Sequence, residues 1–578
     1  MDIGPRPLLA EVYVSDYTPG SGAVYVRLFN PGPNPVDLSG WTLEWSTLPL
    51  DFPGGATISG GGSLYVAGDA MAFRQNLTHL PDFALTAFPG VPAMAGNGAP
   101  AAALDAARGH VRLLDVRGAF VDALVWGTAP ASDGWTGPGA PALDPGLVYL
   151  RAIDEASLSP VSTGNFVTPG GTAAAWKQGT AWLPRRQMRV GQGAFPYPTF
   201  AANSAVTFTM PDSGFAALQD YLDGARQSLD INIYLFTQDA LAVHVQAALQ
   251  RGVAVRMFLE GQPFEGVPPL MRQNLDQLRQ AGAQVRILKG TSGGFKRYHY
   301  DHAKYAVVDG HLCLIMSDNW TRTSVPVTAQ SGNRGWGVIL DSPELAAHLT
   351  HVLACDFNPL SPDSVLLDAG VKIPEPVPAL TAAELELEPV PLTNPIQPIR
   401  MDGPIAVTPM LAPEHALLES PGIAGLIRSA TTSLDVQQAD LQLFWGYEPT
   451  DSMETMPNLY LQELVTAARR GVRLRVLMDG GHLDATNPRD NTFTQKYLQD
   501  LAAVEHLDIQ VRILDHRATH LSIHNKGVIA DESRVLVSSV NWTQNSPLNN
   551  REMAVVLNHP AVAAYFGTVF DRDWAGGK

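Results

Sequence analysis

Cysteine and charge are both scarce in this sequence. Its 578 residues include two cysteines, Cys313 and Cys355, which by themselves build neither a disulfide scaffold nor a zinc site. Charged side chains make up 16%, and acids outnumber bases to give a formal net charge of −17. This balance excludes a surface coated in positive charge for non-specific binding to nucleic acid or anionic membranes. Any phosphate group would need a local positive pocket.

Long apolar runs are absent as well. No stretch of about 18 or more apolar residues occurs, which excludes a transmembrane helix. Residues 1–5 also lack the basic and apolar regions of a signal peptide. We therefore expect either a cytoplasmic protein or, if a signal peptide has been removed, an extracellular or cell-surface protein.

Glycine and proline, by contrast, are abundant, with 52 and 45 residues, and hydrophobic side chains make up 45% of the chain. The length and apolar content suffice for about three or four compact units. The many turn residues favour sheet-rich or loop-rich parts over an all-helical fold. We predict a multi-domain globular protein.

Residues 1–195 show the pattern of a β-sandwich and its connector. Short runs of alternating apolar residues, such as 23–29 and 63–66, are separated by turn clusters such as 30–35. This pattern predicts an all-β module made of two antiparallel sheets.

Three stretches of this module resemble the lamin-tail domain, an immunoglobulin-like β-sandwich. They are residues 25–30, 36–43 and 115–122. Arg27 stands where that family usually carries an acid, and residues 70–108 match little. The resemblance implies an accessory module that docks on a polymer or a membrane surface.

From about residue 200 the pattern changes to alternating strands and helices, and it occurs twice. Each half has an apolar strand, a helix that ends in Arg-Gly and a second apolar strand, in the same order. The repeat predicts two tandem α/β halves, residues 196–360 and 401–578. Between them, the proline-rich segment 361–400 predicts a linker or a surface loop.

A five-residue pattern carries the chemistry, and it also occurs twice. Histidine is followed by lysine at +2, aspartate at +7, serine at +15 and asparagine at +17. The first copy comprises His302, Lys304, Asp309, Ser317 and Asn319, and the second comprises His524, Lys526, Asp531, Ser539 and Asn541. Chance does not easily give five matched offsets, which favours a functional role for both histidines.

The +2 spacing sends the imidazole and the ammonium group out of the same face of a strand. Two such pairs facing each other would place two His, two Lys and two Asn around one point. This set suits a phosphodiester: lysine and asparagine donors neutralise the non-bridging oxygens, one imidazole attacks phosphorus and the other protonates the leaving oxygen. We expect no metal and no other cofactor.

The duplicated H-x-K-x(4)-D motif, with its downstream Ser-x-Asn, is similar to the signature of the phospholipase D superfamily. The resemblance covers about residues 200–578. It implies two phospholipase D-like halves packed as a pseudo-twofold unit and a covalent phosphohistidine intermediate. By family habit His302 would be the nucleophile and His524 the general acid and base. Because both motifs lie in one chain, we expect a monomer.

The two halves differ downstream of the motif. Glu552 follows Asn550 and Arg551 and resembles the family's Asn-x-Glu element, whose carboxylate can hold a catalytic imidazole in one tautomer. In the first half Gly335 occupies the matching place, and Asp341 is a candidate substitute. Supporting rather than chemical roles are expected for Asp309, Ser317, Asp531 and Ser539.

Other residues near the motifs leave two interpretations open. Lys289, Lys296 and Arg297 either supply local positive potential or belong to an ordinary solvated loop. Four aromatic residues either contact the substrate, as a stacking surface or a lipid pocket, or pack in the core. These aromatic residues are Tyr298, Tyr300, Trp320 and Trp542.

We consider two enzymatic functions and one non-enzymatic function for this sequence. A nuclease that cleaves DNA or RNA is our first expectation, because residues 539–543 and 550–552 look more like the nuclease-type branch of the superfamily. The alternative is a phospholipase D or phosphatidyltransferase that acts on phospholipid head groups with the same side chains. A catalytically dead scaffold predicts decay of one motif, and both motifs are intact.

Overall fold

The computed structural model divides the chain into two compact units, Met1–Gly193 and Ala194–Lys578. The described residues are 7–14, 23–76, 80–96, 105, 107–129, 135, 139–140, 142, 147–151, 182–186, 198–290, 296–359, 361, 363–367, 389–416, 422–445, 452–453, 457–481, 483–484 and 486–578. Residues 152–181 and 187–197, most of which fall at the end of the expected first module and its connector, and residues 368–388 of the expected linker lie outside these ranges. No helix within the ranges is long and apolar enough to cross a membrane.

The first unit is built from short strands. Its elements are β1 Leu8–Tyr13, β2 Tyr25–Phe29, β3 Val36–Asp37, β4 Thr42–Trp45, β5 Leu48–Asp51, β6 Thr57–Ile58, β7 Ser63–Ala67, α1 Ala70–Asn76, β8 Phe83–Ala84, β9 Arg108–Leu114, β10 Phe120–Gly127, β11 Leu147–Arg151 and β12 Trp182–Arg186. The helix α1 corrects the expectation of an all-β module.

Two sheets of the first unit share one hydrophobic core. One sheet has the order β12-β11-β1-β2-β7-β8, and the other has the order β10-β9-β4-β5. Alternate side chains point into the core from both, such as Val26 of the first sheet and Val111 of the second. Arg27 is buried beside its cross-strand partner Glu11, at 3.1 Å, so its charge is neutralised inside the module. The N-terminal region is therefore β-rich, as the alternating pattern predicts.

The second unit alternates strands and helices. Its first part contains β13 Phe200–Met210, α2 Gly214–Gly224, β14 Ser228–Ile233, α3 Asp239–Gln250, β15 Ala254–Glu260, α4 Pro269–Gln280, β16 Gln284–Leu288, β17 Lys304–Val308, β18 Leu312–Met316, β19 Gly332–Asp341, α5 Pro343–Asp356 and β20 Ser364–Leu366. Its second part contains β21 Ile399–Ala412, α6 Ile423–Arg428, β22 Ser433–Gln438, α7 Leu459–Arg469, β23 Arg473–Met478, α8 Asn491–Glu505, β24 Ile509–Ile513, α9 His516–Thr519, β25 Leu521–Ile523, β26 Lys526–Ala530, β27 Arg534–Ser538, α10 Asn545–Asn549, β28 Glu552–Asn558 and α11 Pro560–Ala575.

One large mixed sheet runs through the second unit. Its order is β20-β16-β15-β14-β17-β18-β19-β13-β21-β28-β27-β26-β22-β23-β24, and β25 pairs with β19. Outward from the central antiparallel pair β13–β21, the two halves present equivalent strands in the same order. Toward the outer edge of each half, the three strands β14, β15 and β16 and the three strands β22, β23 and β24 are joined by parallel pairing. The predicted pair of α/β halves is confirmed, and edge strand β20 lies within the range expected for the linker.

The motif strands β17 and β26 are buried along their whole length. Each begins with its only charged residue, Lys304 or Lys526. Lys304 pairs with Ile233 and Lys526 with Gln438, so both lysines lie at the carboxyl ends of neighbouring strands β14 and β22. This edge of a parallel α/β arrangement is where functional side chains usually collect.

The motif aspartates lie at the opposite end of the same strands. Asp309 follows β17 and Asp531 follows β26, with φ angles of 52° and 51°. Their carboxylates accept the backbone N–H groups of residues 226–228 and 431–433, just before β14 and β22. These bonds hold the pKa of both carboxyls low despite partial burial. The geometry fits the supporting role expected for them.

Candidate active site

The two motif histidines are anchored to opposite halves of the second unit. The backbone N–H of His302 donates to the carbonyl of Arg551 at 2.8 Å, and that of His524 donates to the carbonyl of Arg334 at 2.9 Å. Strand β25, which leads into His524, also pairs with the start of β19 in the first half. Each histidine is therefore positioned by the half that does not carry it.

The imidazole of His302 is held by the buried carboxylate of Glu552. His302 Nδ1 lies 2.8 Å from Glu552 Oε2 and 3.0 Å from Oε1. Glu552 also accepts hydrogen bonds from Ser539 Oγ at 2.6 Å, from Asn550 Nδ2 at 3.0 Å and from the Ser546 hydroxyl. With Nδ1 engaged, Nε2 is the nitrogen of His302 left to react.

The imidazole of His524 faces a carboxylate from the other half, that of Asp318. His524 Nδ1 lies 3.3 Å from Asp318 Oδ1, and Ser317 Oγ donates to Asp318 Oδ2 at 2.6 Å. Asp318 therefore faces His524 across the halves as Glu552 faces His302, at a longer distance. The prediction that Asp341 substitutes for the missing acid is wrong, because Asp341 lies at the far end of β19, where it pairs with Ser204.

Gly335 explains how an aspartate replaces the expected glutamate. A Cβ atom at Gly335 would overlap the carboxylate of Asp318 and approach Ser317 Oγ. The glycine thus leaves the space that Asp318 fills, while the second half has Val540 and Glu552 at the matching positions. The sequence signal was an acid inside Ser-Asp-Asn where the other half has Ser-Val-Asn.

Both motif lysines are fully buried and aim at the same centre. Lys304 Nζ donates to the carbonyl of His302 at 2.6 Å, and Lys526 Nζ donates to that of His524. Burial lowers the pKa of Lys304 to about 7 and that of Lys526 to about 8, and the nearby carboxylates of Glu552 and Asp318 oppose both shifts.

The motif asparagines lie at the same end of the sheet. Asn319 is buried, and its Oδ1 has no hydrogen-bond partner among the described residues. The backbone N–H of Asn541 donates to Ser546 Oγ at 2.9 Å. The residues that follow them, Trp320 and Trp542, form bridges to the loops after β14 and β22, which fixes the backbone next to each asparagine.

The charges at the centre are set by burial and by close partners. Burial lowers the pKa of His302 to about 4, with Glu552 opposing the shift and Lys304 adding to it. Burial and Lys526 also lower the pKa of His524. Burial alone would raise the pKa of Glu552 and Asp318, but the adjacent imidazoles and lysines hold both below their ordinary values. These shifts favour neutral imidazoles and charged carboxylates at neutral pH.

Two buried arginines clamp the halves together behind the histidines. Arg334 is bound by Asp212 of its own half and by Asp573 Oδ1 of the other, at 3.0 Å. Arg551 is bound by Glu414 of its own half at 2.7 Å and by Asp356 of the other at 2.9 Å. Their carbonyl groups receive the histidine N–H groups. Sequence reasoning used this Asn-Arg pair only for alignment and missed its role.

Two further acids, Glu260 and Asp479, fix the backbone just before each motif histidine, and they were not predicted from the sequence. Glu260 at the end of β15 accepts from the N–H of Asp301 at 2.8 Å. Asp479, directly after β23, accepts from the N–H of Ile523. Glu260 and Asp479 occupy equivalent positions when β15 is aligned with β23, so a comparison of the two halves of the sequence could have predicted them.

Most of the basic and aromatic residues near the motifs, for which the sequence left two interpretations open, have structural roles. Lys296 binds Glu260 at 2.7 Å, and Arg297 is buried against Asp363 at 2.7 Å, so neither supplies free positive charge to the site. Lys289 is exposed. The aromatic residues Tyr298, Trp320 and Trp542 are buried in the core, whereas Tyr300 is half-buried. Cys313 and Cys355 are both free thiols.

Comparisons with known proteins bear on the second unit. The sequence profile of the family described as "Cardiolipin synthase, PLD-like domain" matches residues 218–356 and 423–574, together half of the chain. A mitochondrial cardiolipin hydrolase from Chlamydomonas reinhardtii is 33% identical over 128 residues, covering 22% of this chain and 50% of that protein. The human mitochondrial cardiolipin hydrolase is 32% identical over 114 residues, covering 20% of this chain and 41% of that protein.

The chain thus spans about half the length of the curated relatives it matches. Among solved structures, phosphatidylserine synthase from Haemophilus influenzae Rd KW20 has 12% identity and a TM-score of 0.47, covering 66% of this chain and 89% of that chain. Nuc from Salmonella typhimurium, a phospholipase D family member, has 22% identity and a TM-score of 0.23, covering 30% of this chain and 97% of that chain. By the profile match and the duplicated motif, the chain belongs to the PLD-like domain family of the phospholipase D superfamily.

Proposed function

We propose that this protein is a phosphodiesterase that works through a phosphohistidine intermediate and acts on phospholipid head groups. One observation carries the proposal. Each of two histidines has its Nδ1 facing a buried carboxylate of the other half, at 2.8 Å for His302 and 3.3 Å for His524. The two Nε2 atoms are therefore left for chemistry beside two buried lysines.

In the first step, Nε2 of His302 attacks phosphorus and forms a P–N bond while the bond from phosphorus to the leaving oxygen breaks. His524 gives its proton to that oxygen, which departs as an alcohol. In the second step, His524 takes a proton from water, the water oxygen attacks phosphorus and the P–N bond breaks. The product is a phosphomonoester, and both imidazoles return to their starting states.

The remaining groups of the site stabilise charge. Lys304 and Lys526 face the non-bridging oxygens with Asn319 and Asn541, and negative charge grows on these oxygens in the transition state. A bound phosphodiester also raises the pKa values of both lysines and of His524, because an anion favours their charged forms. In this proposal the positive charge that phosphoryl transfer needs comes from side chains, without a metal.

The assignment of roles follows from the difference between the halves. Glu552 contacts His302 through both of its oxygens, and the His302 side chain is 12% exposed. Asp318 is farther from His524, whose side chain is 26% exposed. A tightly oriented, neutral imidazole suits the nucleophile, whereas a more exposed one suits proton exchange with water. We therefore propose His302 as the nucleophile and His524 as the general acid and base.

Phospholipid is favoured as substrate by the matching family and by the curated relatives, whose names state cardiolipin synthesis or hydrolysis. Nucleic acid is the second candidate, supported by the nuclease-like runs at residues 539–543 and 550–552. The net charge of −17 gives a long polyanion little attraction outside the site.

Further proposals concern the arrangement of the chain. The equivalent strand order about β13 and β21 supports a pseudo-twofold relation of the two halves, bounded at about 196–360 and 401–578. The two-sheet first unit supports an immunoglobulin-like, lamin-tail-like docking module at 1–195. A monomeric enzyme remains a prediction, and so does its place outside or inside the cell.

A substrate panel tests the proposal. The protein, with and without EDTA, is offered phosphatidylcholine vesicles, cardiolipin vesicles, single-stranded DNA, double-stranded DNA and RNA, and the products are separated. We expect head-group release from lipid that EDTA does not reduce, and at least about a hundredfold loss in His302→Ala and in His524→Ala. Turnover of nucleic acid alone would contradict the lipid proposal, and loss of all turnover with EDTA would contradict the metal-free mechanism.

An exchange of acids between the halves tests the role of Asp318. Asp318→Val should lower kcat/KM by about 10- to 100-fold, because His524 loses the carboxylate that orients it. The single variant Gly335→Glu should lose activity as well, because its new side chain would overlap the carboxylate of Asp318. The double variant Asp318→Val with Gly335→Glu reproduces the second half's Val540 and Glu552, and should recover to within about tenfold of wild type.

Asp341→Ala serves as the control and should leave kcat/KM unchanged. A double variant no more active than Asp318→Val, with both proteins folded by circular dichroism, would show that Asp318 does not act as the counterpart of Glu552.

The lowered pKa values predict an acidic optimum. With a soluble diester, kcat/KM reports groups of the free enzyme. His302 must be neutral, which holds above its pKa of about 4, and His524 must be protonated, which fails as pH rises through its own lowered pKa. We expect kcat/KM to peak between these limits, on the acidic side of the ordinary histidine range. A plateau that extends to about pH 8 would contradict these assignments.

A further inference from the structure

Two large apolar side chains are exposed at equivalent places in the two halves. Phe264 is 82% exposed and Leu483 is 47% exposed. Each lies four residues after an acid at the carboxyl end of the second parallel strand of its half, Glu260 of β15 or Asp479 directly after β23. The alignment of β15 with β23 makes Phe264 and Leu483 counterparts. Exposed apolar side chains grouped around one feature mark an interaction surface more often than isolated ones do.

The Phe264 loop is fastened to the site of the first half. Glu260 accepts hydrogen bonds from the N–H of Gln262 at 2.6 Å and from that of Asp301, the residue before His302. The N–H of Phe264 donates to Tyr234 Oη at 2.9 Å. The ring of Tyr234 meets that of His302 edge-on, with 4.9 Å between centroids. Phe264 is therefore one side chain away from His302.

The Leu483 loop is fastened in the same way to the second half. Asp479 accepts from the N–H of Gly481 at 2.8 Å and from that of Ile523, the residue before His524. Ser522 Oγ also donates to Asp479 at 2.9 Å. Both exposed side chains thus project from loops that share a carboxylate with the segment carrying a motif histidine.

The chemistry of this pair favours a lipid surface as its partner. Phenylalanine can stack on a nucleobase, but leucine has no π face, so the property that the two counterparts share is apolarity. Nearby Lys296 is bound to Glu260, and the net charge of −17 gives a long anionic polymer little attraction to the protein surface. The same acidic balance favours an uncharged lipid surface over an anionic one.

We propose that Phe264 and Leu483 form a two-point anchor that inserts into the surface of a zwitterionic phospholipid bilayer. Apolar side chains on rigid loops bury themselves at the boundary of head groups and acyl chains. One anchor point on each half sets the centre between His302 and His524 against the head-group layer. The inference rests on the proposed function for its substrate, whereas binding to vesicles is independent of turnover.

The test uses the full-length protein and the variant Phe264→Ser with Leu483→Ser. The matched control is Val243→Ser with Val504→Ser, which removes two side chains that are 62% and 78% exposed on helices α3 and α8. Co-sedimentation with phosphatidylcholine vesicles measures binding. Turnover is measured on vesicle lipid and, separately, on soluble bis(4-nitrophenyl) phosphate.

The anchor variant should lose about tenfold or more in vesicle binding and in vesicle turnover, because two large apolar side chains no longer enter the lipid. It should keep turnover of the soluble diester within about twofold, since neither residue belongs to the catalytic centre. The control variant should match wild type in all three measurements.

Several results would overturn the anchor. One is a wild-type protein that does not bind phosphatidylcholine vesicles, and another is an anchor variant that binds them as well as wild type does. A loss of vesicle binding in the control variant equal to that in the anchor variant would also overturn it. Loss of single-stranded DNA binding in place of vesicle binding would assign the pair to nucleic acid. Wild type that binds vesicles through the pair yet hydrolyses no diester would refute the proposed function and leave the anchor intact.

Discussion

The candidate site depends on an exchange of carboxylates between the two halves of the second unit. Glu552 of the second half holds His302 of the first, and Asp318 of the first half faces His524 of the second. In the part of the chain that the structure describes, each motif histidine has its partner carboxylate in the other half. The site therefore exists only when both halves fold against each other, which the central pair β13–β21 accomplishes in one chain.

Burying this many charges is costly unless each is paired. The inner group balances Lys304 and Lys526 against Glu552 and Asp318, and all four are buried. The outer group surrounds each clamp arginine with one acid from its own half and one from the other. Removing one partner would leave a buried charge uncompensated, so the pairs that position the histidines also fix how the halves meet.

Sequence patterns predicted the two α/β halves, the motif histidines and lysines and Glu552, because all of these rest on local regularities of the sequence. Alternation and helix spacing gave the β-rich first unit and the two α/β halves, and repeated offsets gave the lysines and histidines. The features that the sequence did not predict depend on contacts between residues that are distant in the chain. Asp318 follows β18 and occupies the space that the missing side chain of Gly335 on β19 leaves, so its role depends on a contact between residues 17 positions apart. The helix α1 and the roles of Arg334 and Arg551 had no periodic signature in the sequence.

The most direct test of the account is to trap the covalent intermediate. In His524→Ala, a 4-nitrophenyl phosphodiester has a leaving group that needs no general acid, whereas hydrolysis of the intermediate still lacks its base. The account predicts release of about one equivalent of nitrophenol per protein in a burst and a phosphoryl adduct on His302 by peptide mass spectrometry. An adduct on another residue, or steady turnover without any adduct, would contradict it.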